Sequence, residues 1–429
     1  LGPEFTARVE ACNPALLGAE RCKQYGNNNP KPVGLLHEFG ESANFGVSPA
    51  RAEFGLLMGS FDNNLNRGIL RKNMAEINDE INPSTGQFSG TGIISSINEL
   101  SLYGYDLAGG SYSQTCYSNS ITNGNCPSWG NPVSEILLEG LRYFAGKTAG
   151  APAGSIDNAF GFPKPAWTDP MTVNRTYAST KTRVDLYGKN VCRPLNMVTV
   201  SSGVSTFDDD GMSTFSTDLG APQNAAYYTN LIGTKELIAN TTRLIGSNGV
   251  NNDGQCSGKL VGNLSDVKGL CPDAPNMRGT YLGAGAAFYA NTNRIRNNLT
   301  VPADANVNAL KVKQYAISMS GGAAQIRVKI PNSNPTRTLI ITPASIDSLV
   351  NPALPGNMVD FKVLKSAADG TSGTFLVLWQ PDADVITLQA ASRHLQLDKV
   401  LPEILRVLKP GGTFYHCDML KPSHPVVEW

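Results

Sequence analysis

The sequence is short of charged residues and has no long apolar run. Lys plus Arg and Asp plus Glu number 35 each, so the formal net charge is zero and electrostatics favour neither nucleic acid nor an anionic membrane as a partner. No stretch of about eighteen apolar residues occurs, and the sequence therefore predicts no transmembrane segment. Charged residues make up 16% of the chain and hydrophobic residues 41%. This balance predicts a folded protein with long polar loops, typical of a secreted or cell-surface protein.

The N-terminus also lacks the basic segment and the apolar segment of a secretion signal. Removal of such a signal would leave the same N-terminus, so its absence does not indicate a cytoplasmic protein. We interpret residues 1–6 as a remnant of cloning.

Residue patterns that carry hydrolytic chemistry are scarce. The sequence has no Gly-x-Ser-x-Gly motif, and His37 is the only histidine in the first 380 residues. A single histidine is usually structural. We therefore expect a protein that is not an enzyme.

Eight cysteines are present, and six of them form three pairs that are close in sequence. Closing loops of this size stabilises a fold by roughly 2–3 kcal/mol. We predict three disulfides, and with them an oxidising compartment: Cys12–Cys22, Cys116–Cys126 and Cys256–Cys271. Free thiols or a metal site are the alternatives, although no pair has the two-residue spacing of a zinc knuckle. Cys192 and Cys417 have no evident partner.

Residues 129–146, WGNPVSEILLEGLRYFAG, predict one buried amphipathic helix. Asn131 is a candidate helix cap, Pro132 suits the first helical position, and Gly146 ends the pattern. The predicted apolar face has residues at helical spacing, namely Val133, Ile136, Leu137, Leu141 and Phe144.

Short strands and helices alternate over the first 300 residues, which predicts an α/β fold with a parallel sheet. The predicted elements are strands at residues 52–61 and 197–201, helices at residues 93–102 and 280–296, and two weak helical stretches within residues 224–244. Strand-like runs between residues 311 and 379 predict an antiparallel sheet at the end of this part.

Seven segments spread over most of residues 7–380 carry a resemblance to a known family. They are residues 7–36 (beginning ARVEAC), 53–61 (EFGLLMGSF), 68–74 (GILRKNM), 129–146 (given above), 198–210 (VTVSSGVSTFDDD), 281–296 (YLGAGAAFYANTNRIR) and 373–379 (GTFLVLW). In this order they resemble segments of the type IV pilus tip adhesin and assembly proteins, the PilC/PilY family. No single segment is decisive, but seven in order make the resemblance fairly specific.

The resemblance implies an N-terminal region related to the von Willebrand factor A domain. We expect residues 7–300 to form an incomplete domain of this α/β, Rossmann-type class with disulfide-closed loop insertions, and residues 301–380 to form a β-rich extension. The family's role implies a non-enzymatic protein that binds minor pilins at the pilus tip, supports pilus assembly and adheres to a host or abiotic surface. Such a protein reaches the cell surface through the periplasm.

Domains of the von Willebrand factor A class often hold a divalent cation through an Asp-x-Ser-x-Ser loop and further ligands. This sequence has no Asp-x-Ser-x-Ser, and Ser202 stands where the family's later motif has an Asp. The acidic candidates that remain are Asp208, Asp209 and Asp210. They predict either a Ca²⁺-binding loop, with Asp218 nearby, or a solvated acidic turn, because adjacent carboxylates repel one another unless a cation or water screens them. Residues 251–253 are a second candidate for Ca²⁺.

The family resemblance ends near Gln380, and residues 381–429 form a tail of different character. Residues 398–408 predict a helix, and residues 413–417 predict a strand. Residues 382–422, with the string RVLKPGGTF, resemble the late strand–helix–strand unit of class I S-adenosylmethionine-dependent methyltransferases.

The tail therefore implies an alternative function, that of a methyltransferase. Such an enzyme needs a Gly-rich turn to hold its cofactor, and the near match at residues 283–285, Gly-Ala-Gly, is better explained as a closely packed helix. A stand-alone Ca²⁺-dependent binding module is a third interpretation.

Overall fold

A computed structural model of the chain describes most of its residues. The described residues are 10–26, 28–42, 49–100, 105–106, 111–112, 124, 130–150, 154–176, 182, 190–254, 256–271, 274–319, 326–347, 354–355, 358–379, 385–391 and 426–428. Within these ranges the chain has mixed helix and strand content arranged in small sheets.

The described helices are short. They are α1 (Leu35–Gly40), α2 (Ile93–Glu99), α3 (Val133–Phe144), α4 (Ser155–Ala159), α5 (Phe215–Leu219), α6 (Ala225–Lys235) and α7 (Leu282–Thr292), with 3₁₀ turns at Ile77–Glu80, Asn190–Cys192 and Leu264–Asp266. Among the described residues, none of these helices has the length and apolarity that crossing a membrane requires.

The described strands pair mostly with antiparallel neighbours. They are β1 (Cys22–Tyr25), β2 (Asn29–Pro32), β3 (Phe54–Met58), β4 (Ile69–Ala75), β5 (Tyr105–Asp106), β6 (Ser111–Tyr112), β7 (Leu195–Ser201), β8 (Thr241–Ile245), β9 (Ser257–Val261), β10 (Val312–Ser318), β11 (Ile326–Lys329), β12 (Thr338–Asp347), β13 (Leu354–Pro355), β14 (Met358–Ser366), β15 (Gly373–Trp379), β16 (Val385–Ala391) and β17 (Val426–Glu428).

The main apolar core lies between α3, α5, α6, α7 and the strands β7 and β10. Helices α6 and α7 approach very closely at Gly285, where a Cβ atom would lie 2.4 Å from Thr229 Oγ1 and 2.5 Å from the Ala225 carbonyl oxygen. The predicted helix at residues 280–296 is confirmed, as is the role of its small residues in close helix packing.

Helix α3 is the centre of this core and matches the predicted helix. It ends at Phe144, and Gly146, with a φ of +70°, follows shortly after. The helix is amphipathic as predicted, but its polar side is buried as well, which the sequence did not indicate. Glu135 and Glu139 are each 1% exposed. A buried carboxylate needs a partner, and a repeating pattern of apolar residues does not report such partners.

Strands β7 and β10 form a two-stranded parallel sheet, here called the ribbon. Its register joins Leu195 to Val312 at one end and Ser201 to Ser318 at the other. We predicted β10 as part of an antiparallel run, and that prediction was wrong. Partner strands more than a hundred residues apart are chosen by packing on α3 and α7, which local alternation in the sequence cannot report.

Two helical stretches were predicted within residues 224–244, and only the first of them is present. The first stretch is α6, and Asn224 caps it by accepting a hydrogen bond from the Tyr227 amide at 2.9 Å. The chain then enters β8 at Thr241, which pairs with β9 in an antiparallel hairpin. Adjacent β-branched threonines at the start of β8 favour a strand over a helix.

The predicted strands that follow β10 pair in antiparallel fashion, as expected. Strand β12 pairs with β11, β13 and β16, and β14 pairs with β15, which also pairs with β17. Two short segments of the predicted tail, β16 and β17, therefore join sheets of the extension. The predicted helix at residues 398–408 and strand at residues 413–417 lie outside the described residues, and the division into domains stays a prediction.

Candidate functional site

The acidic loop after β7 lies against the start of α3. Asp208 is fully buried, and its carboxylate accepts hydrogen bonds from the backbone amides of Ser134 at 3.1 Å and Thr280 at 2.6 Å. The Ser205 hydroxyl also donates to this carboxylate. Burial raises the pKa of Asp208, and these hydrogen bonds oppose that rise. Asp208 thereby joins the first turn of α3 to the residues just before α7.

This contact corrects the predicted helix cap. Asn131 does not cap α3; its side-chain amide donates to Ser201 Oγ and to the Val204 carbonyl oxygen, both at 2.9 Å. The amide of Ser134 is instead satisfied by Asp208, a residue distant in sequence. The Asn-Pro pair marks the helix start correctly, but a cap supplied by tertiary structure leaves no local signal.

Asp209 accepts hydrogen bonds from two cations. Its carboxylate lies 2.6 Å from Lys268 Nζ and 2.5 Å from Arg278 Nη2. Burial raises the pKa of Asp209, but the hydrogen bonds from Lys268 and Arg278 outweigh that effect and hold the pKa below its usual value. The charge of Asp209 is thus balanced within the protein.

Asp210 is exposed and lies beside Glu135 of α3. The Glu135 carboxylate accepts hydrogen bonds from the backbone amides of Gly211 at 2.8 Å and Arg67 at 3.0 Å. Burial is the main cause that raises the pKa of Glu135, to about 7, and the neighbouring Asp210 raises it further. Glu135 therefore keeps its proton to a higher pH than an ordinary glutamate does.

Glu139, one turn further along α3, extends this network. Its carboxylate lies 3.4 Å from Arg67 Nη1 and 3.1 Å from Arg142 Nε, and it accepts from the Gly150 amide at 2.6 Å. Burial raises the pKa of Glu139 despite these partners. Together, Glu135 and Glu139 tie the central helix to three surrounding loops.

The three adjacent aspartates point to three different sets of partners. The predicted solvated turn was wrong for Asp208, which is buried. Asp218, proposed as a nearby ligand, pairs with Arg142 at 2.5 Å. Within the ranges that the structure describes, no three His, Cys, Asp or Glu side chains are grouped as metal ligands. Calcium binding at Asp208, Asp209 and Asp210 stays a prediction.

The second candidate, residues 251–253, lies in a surface turn. The Asp253 carboxylate is 2.8 Å from Lys259 Nζ, and the Asn251 side chain accepts the Asp253 amide at 3.3 Å. These contacts indicate that the polar side chains of residues 251–253 stabilise the turn itself.

Two of the three predicted disulfides are present, Cys12–Cys22 and Cys256–Cys271. Cys116, Cys126 and Cys417 lie outside the described residues. Cys192 is a free, exposed cysteine. His37 is half-buried and accepts the Gly34 amide at 3.3 Å, which agrees with a structural role.

Sequence reasoning missed the buried pair of Arg71 and Asp157. Arg71 lies in β4 and Asp157 in α4, and their side chains are 2.8 Å apart. The available signal was an Arg-Lys pair inside the largely apolar strand Ile69–Ala75. Charged residues in a buried strand indicate partners elsewhere in the fold.

The fold and this network define a mixed helix and strand protein with disulfides, in which buried carboxylates tie a central helix to its loops. The chain belongs to the PilY1 homolog family, because the family model described as "PilY1 homolog, second domain" matches residues 54–290, more than half of the 429 residues. The predicted family is confirmed.

A similar protein is the type IV pilus biogenesis factor PilY1 homolog of Xylella fastidiosa. It is 31% identical over 319 residues, which cover 67% of this chain and 20% of the relative. The chain thus spans about a fifth of the length of the relative that it matches. No solved structure matches the chain.

Proposed function

We propose that the chain is a non-enzymatic part of a type IV pilus biogenesis factor and acts through protein contacts. The family match over residues 54–290 carries this proposal. The site supports it, because the carboxylates of Asp208, Asp209 and Glu139 form hydrogen bonds and ion pairs with groups of the protein itself. Groups satisfied in this way hold loops in place rather than perform chemistry.

The finer role proposed is that of a pilus tip adhesin that binds minor pilins and a host or abiotic surface. The parallel ribbon, packed on α3 and α7, supports the von Willebrand factor A-like interpretation. The two disulfides support passage through an oxidising compartment, such as the periplasm, toward the cell surface.

The test removes residues 54–290 from the full-length protein in its own bacterium and counts surface pili. In parallel, the purified chain is used to retain purified minor pilins, with the chain unfolded by reduction and heat as the control. The proposal expects loss of pili and pilin retention by the folded chain only. Normal pilus numbers together with no retention would overturn it.

Calcium dependence is tested on the same preparation by thermal unfolding. A ligand at about a hundred times its Kd stabilises a fold by about 2.7 kcal/mol. A rise in the midpoint with Ca²⁺ that Asp210→Asn abolishes supports the calcium loop, in which the ion would displace Lys268 and Arg278 from Asp209. An unchanged midpoint would exclude this loop as a Ca²⁺ site. A rise with S-adenosylmethionine would instead favour the methyltransferase interpretation.

A further inference from the structure

A cavity of about 460 Å³ is lined by residues of strand β1, helix α1 and the segment that precedes β3. We call it the N-terminal cavity. Its volume lies within the range of small-molecule pockets, roughly 300–1,000 Å³, which combine apolar walls with a few polar groups. Val33, Pro49 and Ala50 form an apolar part of its lining. Charged side chains and one histidine supply the polar part.

The charges that line the N-terminal cavity are not balanced. The carboxylate of Glu38 lies 2.9 Å from Arg21 Nη1, and that of Glu41 lies 2.8 Å from Lys23 Nζ. Arg51 is the third cation of the lining, and among the described residues it has no carboxylate partner. Two ion pairs and one further cation give the cavity an excess of one positive charge.

The guanidinium of Arg51 is held by an aromatic ring. Its Cζ atom lies 4.6 Å from the centroid of the Phe39 ring, a cation–π contact that orders the side chain. The ring gives the guanidinium N–H groups no acceptor, and these groups form a planar fork that matches a carboxylate. Residues 43–48, which link Ser42 and Pro49 of the lining, read Ala-Asn-Phe-Gly-Val-Ser and have no carboxylate to offer Arg51.

His37 contributes a second donor to the N-terminal cavity. Its Nδ1 atom accepts the Gly34 amide at 3.3 Å, which assigns the proton of the neutral ring to Nε2. Burial lowers the pKa of His37, so the ring is neutral at neutral pH. Within the ranges that the structure describes, this Nε2–H has no acceptor.

We propose that the N-terminal cavity binds a small monocarboxylic acid with an apolar body. The carboxylate accepts hydrogen bonds from the Arg51 fork, and His37 Nε2–H donates to the same ligand. The apolar body lies against Val33, Pro49 and Ala50. A dianion such as phosphate is disfavoured, because Glu38 and Glu41 line the same cavity and like charges repel. This proposal follows from the cavity alone and does not depend on the pilus role.

The test is calorimetric titration of the purified chain with 4-methylpentanoate and with 3-phenylpropanoate. Three further compounds identify what is recognised: 4-methylpentanamide has the same shape without the charge, acetate has the carboxylate without the body, and phosphate is the polyanion. Arg51→Gln removes the unpaired cation. The matched control is Arg294→Gln, at another exposed arginine, and unfolding midpoints check that both variants are folded.

At least one of the two acids is expected to bind with a Kd of about 1 mM or below. Arg51→Gln is expected to weaken that binding by about tenfold or more, Arg51→Lys by roughly threefold, and Arg294→Gln to leave it unchanged. The amide, acetate and phosphate should each bind at least about tenfold more weakly than the acid.

Binding of neither acid would overturn the proposal, and it is the result expected if a carboxylate of the same chain already occupied Arg51. Equal binding of the acid and its amide would overturn the role of the charge. Equal binding of acetate or phosphate, or an equal loss in Arg51→Gln and Arg294→Gln, would show that ions bind to exposed cations and not in the cavity.

Discussion

Arg71 and Asp157 form an ion pair that is closed off from solvent, with exposed side-chain fractions of 0% and 1%. The Asp157 carboxylate also accepts the Ser60 hydroxyl at 2.8 Å and the Phe61 amide at 2.9 Å. The pair joins strand β4, helix α4 and the segment that follows β3. Removing one partner from such a pair leaves an uncompensated charge in a medium that solvates it poorly.

We predict that Asp157→Ala lowers the free energy of unfolding by about 3–5 kcal/mol, because Arg71 remains buried without its partner. Denaturation of the purified chain by urea measures this change. The matched control is Glu38→Ala, which breaks the solvent-exposed pair with Arg21 and is expected to cost at most about 1 kcal/mol. Equal effects of the two substitutions would contradict the buried pair.

Asp208 is expected to be the aspartate of its loop on which the fold depends. Asp208→Ala leaves the amides of Ser134 and Thr280 buried without an acceptor, at a cost of roughly 1–3 kcal/mol for each. Asp210→Ala, at an exposed position in the same loop, is the control and is expected to change stability by at most about 0.5 kcal/mol. Urea denaturation compares the two variants, and hydrogen exchange at the Ser134 amide identifies the lost contact. An Asp208→Ala variant as stable as Asp210→Ala would exclude the capping role.

The elevated pKa of Glu135 predicts a loss of stability with rising pH. The folded-state pKa, about 7, lies above the ordinary value of 4.5, so the folded state binds more protons than the unfolded state between these values. The contribution of Glu135 is therefore fully present below about pH 4.5 and is lost as the pH rises through about 7. Burial also raises the pKa of Glu139 and Asp208. Their contributions to the free energy of unfolding therefore also decrease as the pH rises.

The measurement is the free energy of unfolding as a function of pH for the wild type and for Glu135→Gln. The variant cannot ionise, so its stability is expected to fall less between about pH 5 and pH 8. Its single amide oxygen can accept only one of the two hydrogen bonds that the Gly211 and Arg67 amides donate to Glu135, which lowers its stability at every pH without adding a pH dependence. Glu38→Gln, at a surface position, serves as the control and should follow the wild type. Parallel pH profiles for Glu135→Gln and the wild type would show that Glu135 does not titrate as described.

Sequence reasoning succeeded where the signal is local and failed where a partner is distant. The helix over residues 133–144 begins directly after Pro132 and ends just before Gly146 because proline and glycine act on their own backbone. The cap of that helix was missed, since Asp208 reaches Ser134 only in the folded chain. The strand content of the extension was predicted from alternation, whereas the parallel pairing of β7 with β10 was not. The sequence identified Asp208, Asp209 and Asp210 as candidates, but their partners, such as Lys268 for Asp209, are set by tertiary structure.

The close contact of α6 with α7 predicts an unusual result for a glycine in a helix. Alanine is favoured over glycine in a helix by up to about 1 kcal/mol, so Gly285→Ala in α7 would stabilise an isolated helix. In the folded chain the added Cβ would meet the Ala225 carbonyl oxygen at 2.5 Å. Overpacking of this kind costs about 1–3 kcal/mol, and we expect Gly285→Ala to be destabilising overall.

The control for this prediction is Gly262→Ala, where an added Cβ meets no atom within 4 Å and the expected change is within about 0.5 kcal/mol. Urea denaturation of both variants gives the comparison. A second variant, Thr229→Ser, keeps the hydroxyl that faces Gly285 but removes a methyl group, and combining it with Gly285→Ala should recover little stability, since the backbone oxygen of Ala225 remains in place. If Gly285→Ala proved stabilising, α6 and α7 would have to lie further apart than described, and the small residues of α7 would need another explanation.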